Sequence, residues 1–153
     1  MQILELRVPP VAVFGLAALA MGGLAALGVG PRFGFTGQLL AASVLLLAAG
    51  LVGMASVRAF ARHETTVNPL RPERASRLVA AGIYRYSRNP MYLSLLLALA
   101  AWAIWLGAWL AVPVLPGFLL AMNRWQIMPE ERALSALFGA EFEAYCRRVR
   151  RWL

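Results

Sequence analysis

The chain has 153 residues, of which 61% are hydrophobic and 14% are charged, against about 25% charged in an ordinary soluble domain. All fifteen basic residues are arginines and all seven acidic residues are glutamates, which gives a net charge of +8. This composition excludes a water-facing shell around a small core, and it predicts one helical domain whose surroundings are lipid.

Two apolar stretches come first along the chain. Residues 8–29 and 33–57 carry no charge, and each is long enough for the roughly 20 residues that a helix needs to cross hydrocarbon. The first stretch follows Arg7 as a secretory signal would, but its length and the later spans favour a retained anchor helix. We therefore divide the domain into residues 1–61, with two N-terminal spans, and residues 62–153, with the functional core.

A third apolar stretch, residues 91–122, is longer than one span requires. Gly107, Pro113 and Pro116 interrupt it, so we predict two short helices with a turn near residues 107–112 and a kink at the prolines. Such a hairpin leaves and returns to the same membrane face, which brings together the residues on either side of it.

Charge predicts the orientation of these helices. Arginines are concentrated between spans two and three and after span four, while the opposite loops hold only Arg32. By the positive-inside rule, both termini and the middle loop are cytoplasmic, as in a protein of a bacterial inner membrane. Arginines there also attract anionic headgroups, which explains the basic charge without nucleic acid. With one cysteine, Cys146, and one histidine, His63, we predict neither a disulfide nor a metal site.

Two polar clusters, residues 82–94 and 129–132, flank the predicted hairpin. Charged and aromatic groups are costly beside lipid, so such clusters usually line a site or a water-filled cavity. Carboxylates can offset an ammonium or a sulfonium, tyrosines can stack on a ring or a cation, and arginines can hold a carboxylate. These groups are Tyr84, Tyr86, Tyr92, Arg85, Arg88, Asn89, Glu130 and Glu131. They predict a cytosol-facing site for a polar, partly cationic small molecule next to lipid.

The tail after Glu130 has helical periodicity. Apolar residues recur at three- and four-residue steps from Leu134 to Trp152, with charged residues between them. This pattern predicts a C-terminal amphipathic helix at the headgroup boundary, bent or broken at Gly139, that anchors the chain or closes a lid over the site. The predicted fold is thus an all-α integral membrane protein with about four transmembrane helices and a helical hairpin.

The segment Arg88-Asn89-Pro90-Met91-Tyr92-Leu93-Ser94, an apolar stretch, and then Glu130-Glu131 resemble the motif of a known family. The pattern Arg-His-Pro-x-Tyr-x-Gly, an apolar stretch and Glu-Glu is typical of the isoprenylcysteine carboxyl methyltransferase and phospholipid methyltransferase family. Phe138-Gly139-x-Glu141-Phe142 resembles the tail of that family. The resemblance covers roughly residues 65–153, and the first two spans match only as generic helices.

This resemblance implies S-adenosylmethionine as the cofactor. The residue types of the two clusters suit it, because its sulfonium, amino-acid head and adenine ring need carboxylate, polar and aromatic partners. Glu130 takes the position of the cofactor-binding glutamate of the family. Arg88 and Glu131 are the predicted catalytic residues, with Glu131 or Tyr92 able to remove a proton from the methyl acceptor. The other positions implied in cofactor binding are Ser76, Arg77, Leu78, Val79, Tyr84, Asn89, Pro90, Met91 and Tyr92.

The chain departs from the family pattern at positions that affect this chemistry. Asn89 replaces the histidine and Ser94 the glycine, so a protonatable ring is lost at the first position. Prenylcysteine enzymes place a substrate-binding arginine one helical turn before the glutamate that matches Glu130, where this chain has Gln126, with Arg124 nearby. We therefore assign Arg124 and Gln126 to substrate binding, and transfer to a carboxylate becomes one of several alternatives.

The predicted function is S-adenosylmethionine-dependent methyl transfer to a lipophilic acceptor at the cytoplasmic membrane face. The acceptor is a prenylcysteine-like carboxylate, a lipid amine or a thiol, and the predicted partners are this substrate and membrane lipids, with no nucleic acid. One alternative is an NADPH-dependent membrane reductase of the sterol-reductase type, whose terminal motif is similar. The other is a non-catalytic membrane protein in which the motif has decayed.

Overall fold

A computed structural model describes residues 5–6, 8–28, 30–62 and 78–153 of the chain. These residues form α-helices and shorter helical turns, with an isolated β-bridge between Arg32 and Ala108, which confirms the all-α prediction for the described part. The α-helices are α1 (Pro10–Ala26), α2 (Gln38–Arg62), α3 (Pro90–Leu106), α4 (Val114–Met122), α5 (Met128–Phe138) and α6 (Ala140–Arg148). Short 3₁₀ helices lie at Gly82–Arg85 and Trp109–Ala111.

Among the described helices, α2 is the one that is long and apolar enough to cross a membrane. Its segment Gln38–Ala59 has a mean hydropathy of 2.2, and much of its surface faces outward, including Leu39, Leu40 and Leu47. The helices α1 and α3 are apolar and have 17 residues each, at the short end of the range for a membrane span. Four membrane spans with cytoplasmic termini therefore stay a prediction.

The core lies where α1, α3 and α4 meet. Met21, Leu99, Met122 and Ile127 are fully excluded from solvent there, and α2 packs along another side of α3. The indole nitrogen of Trp102, in the middle of α3, donates to a backbone carbonyl of α1 at 3.1 Å. The central helix α3 is therefore fixed on several sides, and its two ends define the two ends of the molecule.

At the C-terminal end of α3, backbone hydrogen bonds join the two interhelical turns. Gly107 ends the helix in the left-handed conformation, with φ of 60°, as the predicted turn requires. Its carbonyl accepts the Phe33 N–H at 2.8 Å, and the Gln38 side chain donates to the Ile104 carbonyl at 2.6 Å. Because Phe33 is bonded to this turn, α2 begins at Gln38 rather than at residue 33, where the predicted span began.

The prolines after this turn begin α4 rather than kink it. Pro113 is the N-cap residue of α4 and Pro116 lies in its first turn, where a missing N–H leaves no helical hydrogen bond unmade. The predicted kink at these positions is therefore not observed. The second helix of the hairpin is regular up to Met122.

An irregular turn follows α4 and connects it to α5. Residues Asn123–Ile127 form a π-helical turn in which the Met128 N–H bonds to the Asn123 carbonyl. Pro129 has no N–H to give to the Trp125 carbonyl, and this carbonyl accepts the Leu6 N–H at 3.0 Å instead. The extra residue in the turn rotates the side chains that follow by about 100° around the helix.

The predicted C-terminal amphipathic helix consists of two helices. Gly139, with φ of 49°, separates α5 from α6, as its position in the sequence predicted. The apolar faces of both helices pack together with the segment that precedes α3. The members of this second cluster are Phe142, Tyr145 and Val149, with Leu78, Ala80, Leu134, Phe138 and Cys146 around them.

We predict that Gly107→Ala destabilises the hairpin. A Cβ atom there would lie 2.6 Å from the Phe33 carbonyl oxygen and 3.0 Å from the Gln38 side-chain nitrogen, and the left-handed φ adds strain. The free energy of unfolding should fall by about 1–3 kcal/mol, measured as a lower thermal midpoint in detergent. Gly117→Ala is the control, because its Cβ would meet nothing within 4 Å. Equal midpoints for the two variants would contradict the prediction.

Candidate functional site

The candidate site lies at the N-terminal end of α3, at the opposite end of this helix from Gly107. Pro90 begins α3 with a fixed φ and without an N–H that would need a partner. Tyr92 follows in the first turn, and its hydroxyl donates a hydrogen bond to Oε1 of Glu130 in the first turn of α5. The hairpin therefore brings the two predicted polar clusters together.

Glu130 is half-buried and lies beyond the predicted spans, the last of which ends at Met122. Among the described residues its hydrogen-bond partner is Tyr92, while the ion pairs engage Glu131 and Glu5. Loss of hydration raises the pKa of Glu130 to about 8, the Tyr92 hydrogen bond opposes this shift, and the charge of Glu131 adds to it. Within the described part of the chain, no basic side chain pairs with this carboxylate.

Two buried tyrosines accompany Glu130. Tyr84 and Tyr92 are 6% and 5% exposed, and the Tyr145 hydroxyl donates to the Tyr84 backbone carbonyl at 2.7 Å. Burial, with smaller contributions from Tyr145 and Glu130, raises the pKa of the Tyr84 phenol, which therefore stays neutral. Tyr86 is 74% exposed, so it does not share this buried environment.

Two arginines fix Glu131. Arg151 donates from Nη2 and Nε to the two carboxylate oxygens at 2.6 and 3.1 Å, and Arg88 Nη2 lies 3.2 Å from Oε1. Arg88 also contacts the sulfur of Cys146, while its buried Nε has no hydrogen-bond partner among the residues that the structure describes. The predicted catalytic pair Arg88 and Glu131 thus joins the start of α3 to α5, and its catalytic role stays a prediction.

Residues 149–152, here called the C-terminal segment, close this side of the site. The Arg150 carbonyl accepts the backbone N–H of Arg88 at 3.0 Å, and the Arg151 carbonyl accepts the side-chain amide of Asn89 at 3.0 Å. The Trp152 indole donates to the Asn123 side chain at 3.1 Å. One amide N–H of Asn89 thus holds the C-terminal segment, and the cofactor contact that the resemblance implies for this residue stays a prediction.

The π-helical turn is contacted from the other side by Glu5, Leu6 and Val8. Glu5 bonds with one carboxylate oxygen to Arg124 and with the other to Arg132. The hydrogen bond from Arg124 is the largest of the effects that hold the pKa of Glu5 below its usual value; dehydration opposes it, and the charges of Arg132 and Arg124 add to the lowering. Arg124, assigned from the sequence to substrate binding, is therefore engaged in an ion pair in this structure.

The remaining predicted residues occupy different surroundings. Gln126 is fully buried in the π-helical turn, Pro90 and Val79 are buried, and Met91 packs against the core. Leu78 packs in the C-terminal cluster, away from the core of the bundle. Two predicted cofactor-binding residues, Ser76 and Arg77, lie outside the described residues.

Sequence reasoning did not single out Asn123, Arg151 or Trp152 as parts of the site. The amphipathic pattern of the tail predicts membrane anchors or a lid for its arginines and its tryptophan, because such a pattern does not reveal which groups it contacts. Two adjacent glutamates opposite an arginine-rich tail are the signal that could have paired Glu131 with Arg151.

Comparisons with known proteins agree with the motif. A family model described as phospholipid methyltransferase matches residues 37–141. The chain is also 52% identical, over 66 residues, to an uncharacterized protein of Haemophilus influenzae, and the match spans 41% of this chain and all of that protein. No solved structure matches the chain significantly.

We predict that Arg151→Ala loosens the C-terminal segment, because it removes both hydrogen bonds to Glu131. Amide hydrogen exchange of the Arg88 N–H, which is bonded to the Arg150 carbonyl, should become roughly tenfold faster. Exchange mass spectrometry measures this change on peptides that contain Arg88 and on peptides from the C-terminal segment. Arg148→Ala is the matched control, since that exposed guanidinium donates to its own helix. Unchanged exchange in Arg151→Ala would refute the attachment of the C-terminal segment through Arg151 and Glu131.

Proposed function

Because the chain belongs to the phospholipid methyltransferase family, we propose that it transfers a methyl group from S-adenosylmethionine to a lipophilic acceptor at the cytoplasmic face of a membrane. The family match confirms the resemblance predicted from the motif. It begins at residue 37, immediately before α2, so it extends further toward the N-terminus than the predicted resemblance, which began near residue 65.

The observation that carries this proposal is the state of Glu130. A dehydrated carboxylate without a described basic partner is costly, and a cationic ligand would compensate it. Two buried tyrosines, Tyr84 before the motif and Tyr92 within it, provide aromatic surface for a cation or a ring. The Nε of Arg88, a buried donor without a partner in the described part of the chain, suits a carboxylate. The carboxylate, the aromatic rings and the guanidinium thus suit, respectively, the sulfonium, the adenine ring and the amino-acid head of S-adenosylmethionine.

In the proposed mechanism, Glu130 would hold the positive charge of the cofactor and Arg88 its carboxylate. When bound, S-adenosylmethionine supplies a methyl carbon that forms a bond with the acceptor's lone pair while the carbon–sulfur bond breaks and its electron pair stays on the neutral sulfur. Tyr92 fixes the Glu130 carboxylate by its hydrogen bond, so that less reorganisation is needed during transfer. Positioning and exclusion of water can supply most of the catalysis, since the donor is already activated.

Glu131 and Tyr92 are the two groups that could remove a proton from the methyl acceptor, and their surroundings differ. Both oxygens of Glu131 are occupied by guanidinium groups, so this residue serves better to position α5 than to act as a base. The Tyr92 hydroxyl, bonded to Glu130, remains the better placed of the two candidates that the sequence suggested. A proton taken up by Tyr92 would be matched by transfer of its own proton to Glu130.

The proposed membrane arrangement has four spans with both termini in the cytosol. The apolar surface of α2, the two apolar helices of 17 residues and the distribution of arginines support it. In this arrangement the N-terminal end of α3 and the whole of α5 lie at the cytoplasmic face. A bacterial inner membrane is the proposed location, where S-adenosylmethionine is supplied from the cytosol.

We predict that Glu130→Gln weakens S-adenosylmethionine binding by at least about a hundredfold, because it removes the charge and keeps the side-chain volume. Isothermal titration of the detergent-purified protein measures this affinity. Glu141→Gln, which changes an exposed glutamate of α6, is the matched control and should bind as the unchanged protein does. Equal affinity in Glu130→Gln would remove the basis of the assignment, and binding of NADPH alone would favour a reductase.

We also predict that the affinity for S-adenosylmethionine rises with pH up to about 8 and then levels off. Below that pKa the free Glu130 is mostly protonated, and a cation must displace the proton before it can bind. Below pH 8, the affinity should therefore rise about tenfold for each unit by which the pH is raised. Titrations on both sides of pH 8, in buffers of different ionisation enthalpy, measure the proton release. A pH-independent affinity without proton release would contradict the role of Glu130.

A further inference from the structure

Glu5 joins two parts of the helical run that carries Glu130. One of its carboxylate oxygens contacts Arg124, in the π-helical turn, and the other contacts Arg132, in α5. The Glu5 side chain is 14% exposed, so most of its surface is covered by these and other contacts. Arg124 precedes Glu130 along the chain and Arg132 follows it, so Glu5 connects the helix on either side of this carboxylate.

The π-helical turn is what brings the two arginines to one side of the helix. In a regular α-helix, residues eight positions apart are displaced by about 80° around the axis. The additional residue in the turn removes most of that displacement, which leaves Arg124 and Arg132 about two turns apart on the same side. One carboxylate that contacts both guanidinium groups therefore favours the π-helical turn over a regular one.

The residues after Glu5 hold the same turn through the backbone. The Leu6 N–H donates to the Trp125 carbonyl at 3.0 Å, and the Val8 carbonyl accepts the side-chain amide of Gln126 at 2.5 Å. Leu6 has a φ of 56°, a left-handed conformation that a residue with a side chain keeps only when its surroundings impose it. The contacts on both sides of Leu6 thus fix this segment against the turn.

Glu130 leaves the helix on the side opposite the Glu5 contacts. Residues two positions apart, such as Glu130 and Arg132, point about 200° apart around a helix. Arg132 is bonded to Glu5, whereas Glu130 accepts the hydroxyl of Tyr92 in α3. The start of α5 is therefore held between Glu5 on one side and Tyr92 on the other. A return to the regular register would turn Glu130 by about 100°, away from Tyr92.

We propose that Glu5 is a positioning residue, which keeps the π-helical turn in register and thereby holds Glu130 against Tyr92. The consequence for S-adenosylmethionine binding rests on the function proposed above, whereas the consequence for the register does not. In this arrangement Arg124 serves the ion pair that fixes the register, in place of the methyl acceptor.

The first test observes the register in the protein without any ligand. The chain has seven glutamates, so ¹³C-glutamate labelling gives few carboxylate signals, which glutamine variants assign. The Glu130 signal should titrate near pH 8 in the unchanged protein in detergent. In Glu5→Gln the turned Glu130 becomes hydrated, so its titration should move at least about one pH unit lower. An unmoved titration would overturn the proposal.

A second variant, Arg124→Gln, separates a change of register from a direct effect of charge. Loss of a nearby cation alone would raise the pKa of a carboxylate, whereas loss of the register would lower the pKa of Glu130. The titratable groups that interact with Glu130, namely Tyr92, Tyr84 and Glu131, are unchanged in both variants.

We therefore expect the Glu130 titration to move to lower pH in Arg124→Gln, as it does in Glu5→Gln. A shift to higher pH, or no shift, in Arg124→Gln would leave direct electrostatics as the cause and would refute the proposal. Glu143→Gln, which changes an exposed glutamate of α6, is the matched control and should leave the titration unchanged.

The third test measures S-adenosylmethionine affinity by isothermal titration at pH 9, where Glu130 is mostly ionised in every variant. Glu5→Gln and Arg124→Gln should each weaken binding roughly tenfold, because the displaced carboxylate no longer meets the cation. Unchanged affinity in Arg124→Gln is the result expected of a residue that contacts the methyl acceptor, and it would refute the proposal.

Failure of the proposed methyltransferase function is recognised separately, by the absence of S-adenosylmethionine binding to the unchanged protein. The titration of Glu130 in the ligand-free variants still decides in that case whether Glu5 holds the register.

Discussion

Pro129 lies inside a helical run that continues from α4 through the π-helical turn into α5. Its missing N–H changes the hydrogen bonding of this turn and the contacts that the turn makes. The Trp125 carbonyl, left without its helical partner, accepts the Leu6 N–H and so fastens the beginning of the chain. The added residue of the π turn sets the angle at which Glu130 leaves the helix. The hydrogen bond between Glu130 and Tyr92, and with it the contact of α5 with α3, depends on that angle.

The two ends of α3 are stabilised by different interactions. At Gly107 the end is held by backbone hydrogen bonds and by the side-chain amide of Gln38. At the Asn89 end, an ion pair and the C-terminal segment hold the helix. The first end is held mainly through backbone carbonyls, whereas the second contains polar side chains that a ligand can meet. The helix thus separates the part of the molecule that maintains the fold from the part that can carry chemistry.

The glutamates around the site are compensated to different degrees. Glu5 and Glu131 each engage two arginines, and these networks attach the beginning and the end of the chain to the π-helical turn and α5. Glu130 has a tyrosine hydroxyl as its partner and a raised pKa. In the proposed function, the Glu130 carboxylate and its fixed neighbours would hold the sulfonium cation in a preorganised site.

The sequence by itself determined the helical class, the hairpin turn at Gly107 and the motif that identifies the family, because hydropathy, glycine conformation and residue spacing are local properties. Only the tertiary structure decided which groups meet. It paired the tail arginine Arg151 with Glu131, used the amide of Asn89 to hold the C-terminal segment and left Oε1 of Gln126 without a partner among the described residues. It also placed Ser94, which replaces the glycine of the family pattern, against Gly53 of α2. Because Gly53 has no side chain, the serine fits there. Such contacts join residues distant along the chain, and their partners depend on the crossing of helices and the rotation introduced by the π turn, which no local pattern encodes.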